Sequence, residues 1–198
     1  MANASDEFRL VSSNISHEGR LPRQYMSEGQ GAKRNISPPL EWYNLPPGTK
    51  SLALVVHDID APIVPFTIWV VVNIPPTVKG LPEGFSGKEE EMGGEYAGIK
   101  EGTNDLKKHG WESPKLPSHG QRIEFKLYAL DGELHLGNKV WDGNGVGIAV
   151  PVPVSKPPSP SPKKSPSGIP ILIPVTKDKM LEAIEGHVLG EAVLMAVF

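Results

Sequence analysis

The sequence predicts a mainly-β domain, and three observations predict it. The chain has 198 residues with 21 Gly and 21 Pro, which favours turns and short strands over long helices. Its apolar runs are short and rich in β-branched residues, as in Ser51-Leu-Ala-Leu-Val-Val-His57 and Ile68-Trp-Val-Val-Val-Asn-Ile74. A helical pattern is confined to Lys177 to Glu185, near the end of the chain. The length fits a single domain, residues 1–198, with a real hydrophobic core.

Each element follows from local pattern. Phe8-Arg-Leu-Val-Ser12 alternates and reads as a first strand. Gly29 to Pro39 is polar and turn-rich, ending in Ser37-Pro-Pro-Leu-Glu-Trp42, and Pro46-Pro-Gly48 is a turn. Ser51 to His57 is too short for a typical helix and reads as a buried strand. After a loop from Asp58 to Thr67 comes the strand Ile68 to Ile74, closed by Pro75-Pro76. Residues 77–120 hold much Gly, Glu and Lys with little periodicity, and are expected to be surface loop. Ile123-Glu-Phe-Lys-Leu-Tyr-Ala-Leu130 alternates as a half-buried strand. Thr176 is an N-cap for the helix, with Met180, Leu181 and Ile184 on one apolar stripe. Gly186 and Gly190 break that helix, and Ala192 to Phe198 is a final strand. Residues 141–175 do not share this pattern. Nine of the prolines lie between Pro151 and Pro174, so the stretch is expected to be a poorly ordered, Pro-rich insertion.

Composition excludes several function classes. The formal net charge of −3 provides no basic field for nucleic acid or anionic lipid. With no Cys there is no disulfide or thiolate chemistry, which fits a reducing compartment. The first residues lack the charged-then-apolar pattern of a secretory signal, and no window approaches the roughly 20 apolar residues of a membrane helix. A cytoplasmic protein without membrane insertion is expected. The six His show no metal-ligand spacing, there is no Gly-x-Ser-x-Gly elbow, and Gly143-Asn-Gly-Val-Gly147 lacks the spacing of a phosphate loop. The expectation is a protein that is not an enzyme and uses no cofactor or metal.

One set of motifs remains. Asp58-Ile-Asp-Ala-Pro62 follows a buried strand, and Phe66-Thr-Ile-Trp69 comes soon after. Then come Ser113-Pro114, Pro117-Ser-His-Gly-Gln-Arg122 and Phe125-Lys-Leu-Tyr-Ala-Leu-Asp131. With Ser37-Pro-Pro-Leu-Glu-Trp42, this order resembles the phosphatidylethanolamine-binding protein family, also called Raf kinase inhibitor-like proteins, in its bacterial- and plant-type branch. The resemblance covers roughly residues 8–140 and 175–198. It implies a β-sandwich with one or two short helices and a small anion pocket at one end. It also implies binding of phosphate-bearing headgroups and, in some members, inhibitory docking onto kinases or other signalling proteins. The ligand-binding positions it implies here are Asp58, Asp60, Pro62, Phe66, Ile68, Pro114, Gln121 and Arg122, and His119 joins them as a candidate by its place two residues before Gln121.

The chain departs from the family pattern at the pocket. A His that precedes the strand Trp is Ile68 here, and a second His that precedes the Arg is Gln121. The aromatic after that Arg is Ile123, and the Gly before the pocket proline is Ser113. Buried charge-assisted hydrogen bonds contribute on the order of 1.5–3 kcal/mol each. Loss of two weakens anion binding by roughly two to four powers of ten. In an extended segment His119 and Gln121 share a face about 6–7 Å apart, so His119 is a candidate replacement donor.

Structural readings stand beside these. Asp58 and Asp60 are common turn-capping residues, Arg122 can pair with either, His57 ends an apolar strand, and Trp42 and Trp69 suit a core. Three functions remain open: a headgroup- or anion-binding regulatory protein with a degraded pocket, a kinase-inhibitor-like interaction module acting through its surface, or a variant product without function.

Overall fold

The computed structural model describes residues 6–33, 35–61, 65–115, 120–136, 139–140, 171–172 and 175–198. In chain order the strands are β1 (Arg9–Val11), β2 (Gly19–Arg20), β3 (Leu40–Tyr43), β4 (Ser51–Asp58), β5 (Phe66–Ile74), β6 (Gly80–Leu81), β7 (Lys100–Glu101), β8 (Arg122–Leu130), β9 (Lys139–Val140), β10 (Ile171–Leu172) and β11 (Val188–Val197). Two α-helices, α1 (Glu89–Met92) and α2 (Lys177–Ile184), and two 3-10 turns, Arg23–Tyr25 and Gly94–Tyr96, complete the described elements. A six-stranded sheet runs β2-β11-β8-β4-β5-β7, and a three-stranded sheet runs β1-β3-β6.

The central strands of the large sheet are buried on both faces, which explains their near-continuous apolar runs. Side chains alternate between two cores. Leu52, Leu54, Val56, Trp69, Val71, Phe125 and Leu127 pack toward the small sheet, where they meet Leu10, Leu40, Trp42 and Leu81. Ala53, Val55, Val70, Val72 and Leu130 face the other way, onto Met180 and Ile184 of α2. The outcome is a mainly-β sandwich with a helix on its outer side. Trp42 and Trp69 are core residues, with the Trp42 indole donating to the Val78 carbonyl at 2.9 Å.

A bulge keeps the end of β5 in the core. Leu52 pairs with Ile74 while Leu54 pairs with Val71, so β5 carries one extra residue there. Asn73 supplies it in the left-handed region (φ 58°), and its side-chain amide exchanges hydrogen bonds with the backbone N–H and carbonyl of Leu134 at 2.8 and 2.7 Å. Ile74 thereby returns to the face of Val71.

Four expectations change. The described residues of 77–120 hold only short elements but are not a surface loop: Val78, Leu81, Phe85, Ile99 and Trp111 are core, and Glu101, Asn104 and Ser113 are buried. Periodicity misses them because aromatic packing and side-chain-to-backbone bonds hold this segment, not a regular ladder. Trp111 meets Trp69 edge-on at 5.8 Å and stacks on Phe125 at 6.2 Å. Leu181 is exposed, because α2 turns only Met180 and Ile184 inward. Gly190 lies in β11, not at a helix end. The helix stops before Gly186 (φ 79°), and a Cβ at Gly190 would meet Pro46 at 2.8 Å. The final strand accordingly begins at Val188 and not at Ala192.

Thr176 caps α2 as expected, accepting from the Lys179 N–H at 3.3 Å. Most of the Pro-rich stretch lies outside the described residues. Of its described parts, Ile171–Leu172 pairs antiparallel with Lys139–Val140. Val175 is buried, with its carbonyl accepting from Thr103. Among the described residues no helix is long and apolar enough to cross a membrane.

Candidate functional site

The site grows from one end of the large sheet. Asp58 closes β4, with Phe66 opening β5 on one side and Ile123 near the start of β8 on the other. Gln121, just ahead of β8, exchanges backbone hydrogen bonds with Phe198 in both directions at 2.9 Å. Beneath these strand ends lies a cavity of about 350 Å³ lined by Asp58, Phe66, Ile68, Leu106, Glu112, Ser113, Pro114, Lys115, Gln121 and Phe198.

The cavity unites five residues named from the sequence: Asp58, Phe66, Ile68, Pro114 and Gln121. Asp60 and Arg122 pair with each other beside it and do not line it. Arg122 Nε and a terminal guanidinium nitrogen donate to the two Asp60 carboxylate oxygens at 2.8 and 2.7 Å, and the Arg122 backbone N–H adds a third bond at 2.9 Å. This hydrogen-bonded guanidinium holds the Asp60 carboxyl below its ordinary range. Pro62 and His119 lie outside the described residues.

Asp58 has a double role. It is only 9% exposed, and its Oδ1 accepts from the Asp60 N–H at 3.0 Å, which caps the turn after β4. Its Oδ2 accepts from the Gln121 side-chain amide at 3.1 Å. Burial raises the Asp58 carboxyl above its ordinary value, partly offset by the Asp60 N–H. His57 points elsewhere, with Nε2 3.3 Å from Glu124. Burial lowers its pKa despite that partner. Ile123 is fully buried in the core and does not line the cavity.

Sequence reasoning did not name Leu106, Glu112, Lys115 or Phe198. The first three belong to the segment read as surface, and Phe198 reaches the site only through its pairing with Gln121. Asn104 shapes this wall: its side-chain oxygen accepts from the N–H groups of Leu106 and Lys108 at 3.0 and 3.1 Å, and its amide donates to the Gly110 carbonyl. Ser113 is buried, accepting from the Asn35 N–H at 2.8 Å and from the Trp111 indole at 3.2 Å. Among the described residues no group of three His, Asp or Glu side chains is placed to hold a metal ion.

The family model for phosphatidylethanolamine-binding protein matches residues 11–198. The chain belongs to this family. A UPF0098 protein of Methanothermobacter thermautotrophicus is 36% identical to it over 184 residues, covering 93% of each chain. The UPF0098 protein YbhB of Escherichia coli is 35% identical over 130 residues, covering 63% of this chain and 79% of its own. Among solved structures, the phosphatidylethanolamine-binding protein homologue CT736 of Chlamydia trachomatis superposes with a TM-score of 0.67 at 27% identity, covering 98% of both chains. Escherichia coli YbcL, a family member at 24% identity, shares the fold with a TM-score of 0.68, covering 97% of this chain and 98% of its own.

Proposed function

We propose that this family member is a cytoplasmic, non-enzymatic regulatory protein that takes phosphate-bearing headgroups into the cavity below Asp58, and takes them weakly. The observation that carries this reading is the cavity wall itself. Ile68 and Gln121, the two residues that stand where the family resemblance places imidazoles, both line it beside Asp58. An isoleucine offers no donor, and the Gln121 amide is already engaged by the Asp58 carboxylate. Arg122, the nearest guanidinium in sequence, is bound to Asp60. What remains is a small, largely apolar pocket with few groups that favour an anion.

Titration with phosphorylethanolamine, followed by NMR at the Gln121 side-chain amide, tests this. Binding is expected at roughly millimolar affinity or weaker, and micromolar affinity would refute the degraded pocket. Ile68→His combined with Gln121→His restores two donors and should tighten binding at least about tenfold. No gain would show that these positions do not face the ligand.

A further inference from the structure

A groove of about 390 Å³ lies apart from the cavity below Asp58, on the outer face of the small sheet. Its lining includes Glu41 and Tyr43 of β3, Lys79 and Pro82 beside β6, and Glu95 and Tyr96 of the second 3-10 turn. Side chains along β3 alternate, so Leu40 and Trp42 are buried while Glu41 and Tyr43 face outward. Gly80, opposite Glu41 in the ladder, lines the groove without a side chain. The result is an open trough with aromatic and proline walls, and it shares no lining residue with the headgroup cavity.

The two tyrosine rings are fixed before any partner arrives. Tyr96 packs on the buried Phe85 ring at 5.9 Å. Tyr43 is 43% exposed, yet its hydroxyl donates to Glu41 at 2.8 Å and the Arg9 guanidinium lies 4.8 Å from its ring centre. Rings that lose little freedom on binding gain most from a ligand that also loses little. A proline-rich strand is such a ligand: its φ angles are preset, and its polyproline II backbone brings a like-facing residue every three positions, about 9 Å apart. Aromatic-lined grooves are the usual complement of this conformation. The charges add a direction. Glu41 and Glu95 outnumber Lys79, whose ammonium leans on the Pro76 carbonyl at 3.5 Å. That balance opposes an anionic partner and favours lysines beside the prolines.

We propose that this groove is a docking surface for a lysine-flanked, proline-rich strand in the polyproline II conformation. Tyr43 and Tyr96 receive the proline rings, and Glu41 and Glu95 receive the lysines. The chain itself contains a sequence of this chemistry, since residues 156–163 read Lys-Pro-Pro-Ser-Pro-Ser-Pro-Lys. The proposal is independent of headgroup binding, because the two sites have no residue in common.

The test is an NMR titration with a synthetic peptide of the sequence of residues 156–163, added to two full-length proteins. One is the unaltered chain. The other carries Pro157→Ala, Pro158→Ala, Pro160→Ala and Pro162→Ala, so that its own copy of the sequence does not compete. In the second protein the backbone amides of Tyr43, Gly80 and Tyr96 should shift saturably, with a Kd below about 1 mM, while the Gln121 side-chain amide stays still. The unaltered chain should bind the peptide equally or more weakly, and weaker binding there identifies its own segment as an occupant. A peptide with alanine at each proline should bind at least about tenfold more weakly. One with glutamine at each lysine should bind about two- to fivefold more weakly. Tyr43→Ala, at an exposed position, should weaken the original peptide about three- to tenfold. Still amides at Tyr43 and Tyr96 in both proteins, shifts confined to Gln121, or equal binding of either altered peptide would overturn the proposal.

Discussion

The cavity has two kinds of wall. One comes from the ends of β4 and β5, the residue ahead of β8 and the residue after β11, as Asp58, Phe66, Ile68, Gln121 and Phe198. The other comes from the irregular run that carries Leu106, Glu112, Ser113, Pro114 and Lys115. The strand wall is positioned by two ladders: β4 and β8 pair in unbroken register from Ser51 opposite Leu130 to Asp58 opposite Ile123, and β4 and β5 pair with a shift between Val56 and His57 that places Ile68. The irregular wall has no ladder of comparable length. It is positioned by buried aromatic rings and by side chains that bind backbone, above all Glu101 and Asn104. A regular element and an irregular one can thus be equally fixed, provided the irregular one buries its anchors and satisfies its backbone groups.

The sharpest way to break this comparison is to remove one ring from each wall. Trp69→Ala, in β5, and Trp111→Ala, in the irregular run, should each cost about 3–5 kcal/mol in denaturant unfolding. A Trp111→Ala cost within about 0.5 kcal/mol would mean that the run is surface after all. Next in size is Glu101→Ala. Glu101 is 3% exposed and accepts from the Trp69 indole and the Gly87 N–H. Leaving those donors without an acceptor should cost about 1–3 kcal/mol apiece in the same measurement. Asn104→Ala is smaller, about 1–2 kcal/mol. Its mark should be faster amide exchange at Leu106 and Lys108, the two N–H groups that Asn104 accepts. Unchanged exchange would show that this wall is held by something else.

The smallest effect contrasts two carboxylates in one turn. Burial raises Asp58, while the guanidinium of Arg122 lowers Asp60. Carboxyl-carbon NMR should therefore show Asp58 titrating at higher pH than Asp60, and coincident titrations would contradict the geometry. The signs for stability are opposite. Asp60 contributes above its unfolded-state value, and that contribution is lost as pH falls through its folded value. Asp58 binds its proton more tightly when folded, so its ionisation reduces stability as pH rises from the unfolded to the folded value.

The legible parts of the molecule are those whose cause is local. Ser51 to His57, Ile68 to Ile74 and Ile123 to Leu130 are apolar or alternating enough to be read as strands, each one or two residues short of the observed element, and Thr176 announces α2. Trp111 and Glu101 were hidden because each stands alone between Gly, Lys and Glu residues, and its burial depends on partners far along the chain. Leu181 misled in the opposite direction, since an apolar position on a helix is buried only if something packs over it.

At the site the same division holds. The sequence by itself determined the mainly-β class, the motif order that marks the family, and the absence of imidazoles at Ile68 and Gln121, because these are statements about which residues are present and how they alternate. Only the tertiary structure decided that Arg122 binds Asp60, that Gln121 binds Asp58, and that Glu112, Lys115 and Phe198 join the cavity. Each of those outcomes is a choice among partners of similar chemistry. The choice follows from which strand ends and loops the fold brings within hydrogen-bond distance, and spacing along the chain carries no record of it.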